Sequence, residues 1–232
     1  MNAKHTKSKK KLEKEILESL KKYFPRIGFD GGLYFEICCE ACNRAKQAHT
    51  DFNKLRESQS KNGKVKLKRW TSKELHLRDT IRKQESISIV FAAMCLEACI
   101  WDYAACNTSQ NKAKENFESL NLVAKWAVIP QLLCGSDITK VRIGGTCLLD
   151  RLRKLKDARN GFAHPKSKPL PNTVKEAFKA IPKRKELSAE DSFSLIGLLL
   201  GELEKVDENN WWFFQTEAYI NSIKKAQEST AS

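Results

Sequence analysis

Apolar positions recur at helical spacing along almost the whole chain. In residues 8–24, Lys and Glu alternate with Ile16, Leu17, Leu20 and Phe24, a pattern that predicts an amphipathic helix stopped near Pro25. DGGLYFEICCEACNRAKQAHTDFNKLRES predicts a second, longer helix starting after Gly32. The polar, basic QSKNGKVKLKRWTS, residues 59–72, reads as a linker. A long helix is then expected from about Lys73 to Cys106. Its second half, SISIVFAAMCLEACIWDYAA, is apolar on nearly every side, as suits a helix surrounded by others.

Asn107 to Asn111 reads as a turn, with a helix resuming through Phe117, Leu120 and Val123. KWAVIPQLLCG is expected to be irregular, because Pro130 lacks a backbone donor. Thr146 is placed to cap a helix over CLLDRLRKLKDARNGFA. PKSKPLP reads as a loop, and Ser188 as the cap of a helix over SAEDSFSLIGLLLGELEKV. The aromatic tail NNWWFFQTEAYINSIKK completes the pattern as a last amphipathic helix, with Trp211–Phe214 in a core or a dimer seam. No internal repeat is visible. The fold class expected is all-α, with an N-terminal helical extension and basic linker at 1–72, a bundle at 73–206 and a tail at 207–232.

Composition supports helix: only 6 prolines and 10 glycines occur, too few for a turn-dense β architecture. A 41% apolar content is enough to bury a core. Ile87 to Ala105 approaches the length of a bilayer span, but Glu97 and Asp102 interrupt it, so it reads as the central helix of a bundle and not a membrane segment. The opening MNAKHTKSKKKLEKE has no apolar core of the kind a secretion signal needs, and eight cysteines are then expected as reduced thiols in a cytoplasmic setting. The net charge of +14 favours an anionic partner, nucleic acid first.

One segment carries candidate chemistry. Leu148, Leu152, Leu155 and Arg159 are spaced by four, three and four, a single stripe on a helix. Arg159 therefore points where the leucines point, and its permanent charge needs a carboxylate, a carbonyl or a phosphate. His164, held out of helical geometry by Pro165, falls at or just beyond the last turn. A histidine titrating near neutrality beside a guanidinium suits phosphodiester chemistry, one moving protons and the other holding phosphate charge. The plainer alternative is a helix end whose cations bind the last carbonyls, with Asn160-Gly161 as its stop.

RNGFAH, residues 159–164, resembles the R-x4-6-H motif of the HEPN superfamily, including the polar residue after the arginine. The 86–105 helix is similar to the central HEPN helix, with its acid at Glu97; the resemblance covers roughly residues 75–205. It implies an antiparallel bundle of four to five core helices, usually a homodimer with the two motifs facing each other. It also implies a metal-independent endoribonuclease that needs no cofactor, of the kind found in toxin–antitoxin and phage-defence systems, with an antitoxin or nucleotidyltransferase as a further partner. In that scheme the RNA 2′-hydroxyl attacks the adjacent phosphate, leaving a 2′,3′-cyclic phosphate and a 5′-hydroxyl. Arg159 would hold the phosphate, His164 would be the general acid or base, and Asn160 would hydrogen-bond or orient. Some members bind only RNA, a nucleotide or a protein, so a non-catalytic module is the alternative, and a basic helical scaffold a third.

Glu97 lies mid-helix among apolar neighbours and needs a partner, for which Arg159 is the natural candidate; with Asp102 it is assigned a structural or supporting role. Arg151, Arg153, Lys154 and Lys156 of RLRKLK, with Lys166 and Lys168, are the expected RNA contacts. Cys39 and Cys42 have zinc-like spacing, but His49 lies about 10 Å further along one helix, too far for a shared metal. Buried apolar roles suit these thiols better. RIGGTC matches no phosphate-loop fingerprint and reads as a turn.

Overall fold

The computed structural model describes residues 29–60, 70–163 and 187–206. They form an all-α fold of six helices and one two-residue hairpin: α1 (Phe29–Ser60), α2 (Ser72–Asn107), α3 (Gln110–Phe117), α4 (Leu122–Cys134), a 3-10 turn (Ile138–Lys140), β1 (Arg142–Ile143), β2 (Thr146–Cys147), α5 (Leu148–Ala163) and α6 (Ala189–Val206). The expected helices at 8–24 and in the tail, the 165–171 loop, His164, Lys166, Lys168 and Trp211–Phe214 lie outside the described residues.

α1 and α2 pack antiparallel: Tyr34 meets Phe91, Cys38 meets Ser88 and Phe52 meets Trp70. The buried seam of α1 is made of small side chains, Cys38, Ala41, Ala45 and Ala48, spaced by three, four and three. Small residues at that spacing let two long helices approach closely. α1 begins at Phe29, earlier than expected, with both glycines inside it. A glycine inside a helix costs about 1 kcal/mol against alanine, but a Cβ built at Gly31 would meet Cys99 Sγ at 3.6 Å. The helix start is pressed against α2, and that packing offsets the propensity. Phe35 and Cys38 share one core with α2–α6, so residues 29–60 dock on the bundle.

α2 is the central helix. Thr71 caps it in a reciprocal box: its hydroxyl accepts from Glu74 N at 3.2 Å, and Thr71 N donates to Glu74 Oε2 at 2.7 Å. By length and composition α2 could cross a membrane, yet over half of its apolar window is buried under other helices (56%). α6 lays Leu195, Ile196, Leu199 and Leu203 into the same core, capped by Ser188, whose hydroxyl accepts from Asp191 N at 3.0 Å.

Two expectations about the middle of the chain are corrected. The helix does not continue past Phe117; it stops, and Asn121 starts a new one by accepting from Val123 N and Ala124 N. KWAVIPQLLCG is helical, not irregular: α4 runs through Pro130 and closes on Gly135 at φ 72°. The missing donor of Pro130 leaves one helical bond unmade, late in the helix. Against that, Trp126 and Ile129 become fully buried and Trp126 Nε1 donates to Leu96 O at 3.1 Å. Burial of the apolar face outweighs a single bond.

Thr146 does not cap α5. It lies in β2, paired with Ile143 across the tight turn at Gly144 and Gly145. Both glycines have positive φ, 59° and 77°, as a two-residue hairpin requires. The helix starts two residues later, at Leu148, with Leu148 N donating to Val141 O.

Candidate functional site

α5 carries the candidate site on a well-anchored rod. Leu148, Leu152 and Leu155 are fully buried, which fixes both the position and the rotation of the helix. One turn beyond Leu155, Arg159 emerges half-buried. Its Nη1 donates to Asn160 Oδ1 at 3.1 Å, and among the described residues it forms no ion pair. The helix continues through Gly161 to Ala163, so Asn160-Gly161 is not its stop. Arg159 and Asn160 are brought together; His164 follows directly in the chain, outside the described residues.

Glu97 is not brought to Arg159. Its carboxylate accepts from Lys125 Nζ at 2.9 Å, and the lysine, 7% exposed at its side chain, is the buried member of the pair. Lys125 Nζ also lies 5.5 Å from the Trp101 ring centroid. The need for compensation therefore belongs to Lys125, while Glu97 keeps 41% of its side chain accessible. The lone cation in NLVAKWAVI was the missed signal, since an ammonium in an apolar helix requires a partner as surely as a mid-helix acid does. Asp102 is buried near the far end of α2, where its charge adds to burial in pushing the Cys106 thiol up to about 11.

The basic face of α5 is partly used within the protein. Arg151 Nη2 donates to Ile143 O at 3.0 Å and so ties the hairpin to the helix. Arg153 pairs with Asp150, and Lys156 with Asp157 at 3.1 Å. Lys154 has no ion pair among the described residues and stands on the wall of a cavity of about 600 Å³. The cavity lies between α2, α5 and the start of α6. Ile89, Ala158, Phe162 and Leu187 give it an apolar floor, and Arg82 joins Lys154 as a second cation. Three acids also reach it, each already engaged: Glu85 with His49 at 3.2 Å, Asp157 with Lys156, and Asp191 with the α6 cap. Arg159 is absent from this wall, being turned about 100° from Ala158 by the helical repeat.

The cysteines of α1 are buried packing groups. Burial pushes the Cys38 thiol up to about 12 and the Cys42 thiol up to about 11, the reverse of a reactive thiolate or metal ligand. His49 faces Glu85 across the helix pair. Among the described residues no group of three or more His, Cys, Asp or Glu is arranged to hold a metal ion. Comparison of the chain with models of known families, with curated proteins and with solved structures finds no match.

Proposed function

We propose that the chain is a cytoplasmic, HEPN-like RNA-binding protein that acts as a homodimer and cleaves RNA without a metal, in a toxin or phage-defence setting. The observation that carries this reading is the state of Arg159. A guanidinium half sunk at the end of a leucine-anchored helix, bonded among the described residues only to a neutral amide, is a fixed positive charge awaiting an anion. A scissile phosphate supplies one.

In the proposed reaction the 2′-oxygen of RNA attacks phosphorus as its proton passes to a general base. The P–O5′ bond breaks, and the leaving oxygen takes a proton. Arg159 offsets the charge building on the phosphate oxygens, Asn160 holds the guanidinium plane, and His164 moves the proton. The test is incubation of the protein with RNA in EDTA, followed by analysis of the ends. Cyclic phosphates made by wild type and lost in His164→Ala support the reading; undiminished cleavage in that variant rejects the role of His164.

The non-catalytic module is favoured by one observation: the α2–α5–α6 cavity, with its apolar floor and two cations that form no ion pair among the described residues, excludes Arg159 from its wall. Binding that survives His164→Ala, with no cleavage by wild type across varied RNAs, selects that reading.

A further inference from the structure

Where α1 ends and α2 begins, four side chains form a group that neither the core nor α5 uses. The Phe52 and Trp70 rings are stacked, with centroids 6.0 Å apart and planes 21° from parallel. The Arg78 guanidinium lies 4.2 Å from the Trp70 centroid. Arg56 lies 5.9 Å from the Phe52 centroid and 5.8 Å from that of Trp70. Despite these neighbours, Trp70 remains 44% exposed, among the most exposed large apolar side chains described.

Both arginines are exposed, and neither forms an ion pair among the described residues, although Glu57 and Asp79 directly follow them in sequence. A stack that served only to pin the helix ends together would cover its indole and neutralise its cations. This one leaves nearly half of its indole accessible, and among the described residues no carboxylate pairs with its two guanidiniums. In sequence, Trp70 follows directly on the basic run KNGKVKLKR, in a chain of net charge +14. Flat rings flanked by arginine are suited to unstacked bases joined by phosphates, because every base presents a π face and every linkage a negative charge.

We propose that Phe52, Trp70, Arg56 and Arg78 form a second docking surface, for single-stranded nucleic acid, with a base stacking on the Trp70 indole in the place the exposed Arg78 guanidinium now takes, and flanking phosphates on the two arginines. The RNA reading above supplies the natural strand, RNA; the surface itself needs no cleavage chemistry and lies on a different part of the fold from Arg159.

The test uses the full chain and a fluorescein-labelled 2′-O-methyl oligouridylate, which lacks the free hydroxyl that cleavage needs. Anisotropy should show wild type binding this strand more tightly than the same strand annealed to its complement. Trp70→Ala should weaken single-strand binding by about tenfold or more, while Trp70→Phe, which keeps a π face, stays within about threefold. Arg56→Gln with Arg78→Gln should lower the log–log salt slope by about 1.4, for two phosphates on a single strand. Melting curves accompany each variant; if Trp70→Ala loses its fold, Trp70→Phe and the arginine pair decide the matter.

Unchanged affinity in Trp70→Ala, no wild-type binding, or equal competition by polyglutamate would each overturn the proposal. The deoxy strand separates sources: weaker binding than RNA assigns the surface to RNA, and equal binding to single strands of either sugar. His164→Ala should lose cleavage and keep this binding. Absence of cleavage throughout therefore rejects the nuclease reading alone, and cleavage with an inert Trp70 rejects this surface alone.

Discussion

Lys125 and Arg159 are both drawn out of water to some degree, and they are treated in opposite ways. Lys125, on α4, is 6% exposed, reaches the Glu97 carboxylate at 2.9 Å and lies beside the Trp101 ring. Arg159, on α5, is half-buried and among the described residues has only the amide of Asn160. The lysine is closed off and answered by an acid, as a structural charge must be when it leaves water. The arginine is left partly open and partly unanswered, at the end of a helix whose other buried positions are leucine. Charge that is fully compensated inside the fold has nothing left to offer a ligand; charge that is not retains its attraction for a phosphate.

The strongest way to break this contrast is Arg159→Met. If the arginine serves a ligand, RNA cleavage in EDTA should fall by at least about 100-fold, while the melting midpoint moves by the equivalent of less than about 1 kcal/mol. Arg159→Lys should recover little, because an ammonium lacks the planar fork. A large loss of stability with cleavage intact would place Arg159 with Lys125 as a structural charge.

Glu97→Gln gives the mirror image. Removing the carboxylate leaves Lys125 charged and buried, so urea denaturation should show a loss of about 1–2 kcal/mol, limited because Glu97 still reaches water. Cleavage per folded molecule should be unchanged. Adding Lys125→Met to Glu97→Gln should bring stability back to within about 1 kcal/mol of wild type.

Cys38 sharpens the comparison from a third direction, since it is buried without any charge at all. Its thiol is held up to about 12 by burial, against an ordinary value of 9.0. The folded state keeps that proton where the unfolded chain releases it. Stability is therefore full below pH 9.0 and falls as pH rises from 9.0 toward about 12, by ~1.4 kcal/mol per pH unit for such a thiol. Cys38→Ala should flatten this alkaline slope in melting curves; an unaltered slope would mean that burial of this thiol does not govern it.

Much of the fold was legible because it is written locally. The apolar density of residues 86–105 announced the central helix, and Ser188 announced the start of α6. The 148–152–155 spacing announced the buried face of α5, and with it the half-buried place of Arg159. Other readings failed where a distant surface outweighed a local preference. Pro130 argued against a helix, yet Trp126 and Ile129 on the same segment bury completely against α2. Arg151 read as a free cation on a basic run, yet the hairpin before α5 turns Ile143 O toward it. Glu97 and Arg159 looked complementary, yet α4 places Lys125 within reach of the acid first.

From the sequence alone came the helical class, the Ser188 cap and the buried leucine face of α5, since these depend on residues within a turn or two of one another. Which charge meets which was decided only by the tertiary structure. Coulombic and hydrogen-bond partners must lie within a few ångströms, and that proximity is set by how α2, α4 and α5 pack and not by any spacing along the chain. For that reason Arg159 could be singled out from its spacing behind the leucines, while its freedom from a neutralising acid among the described residues emerged only when the helices were assembled.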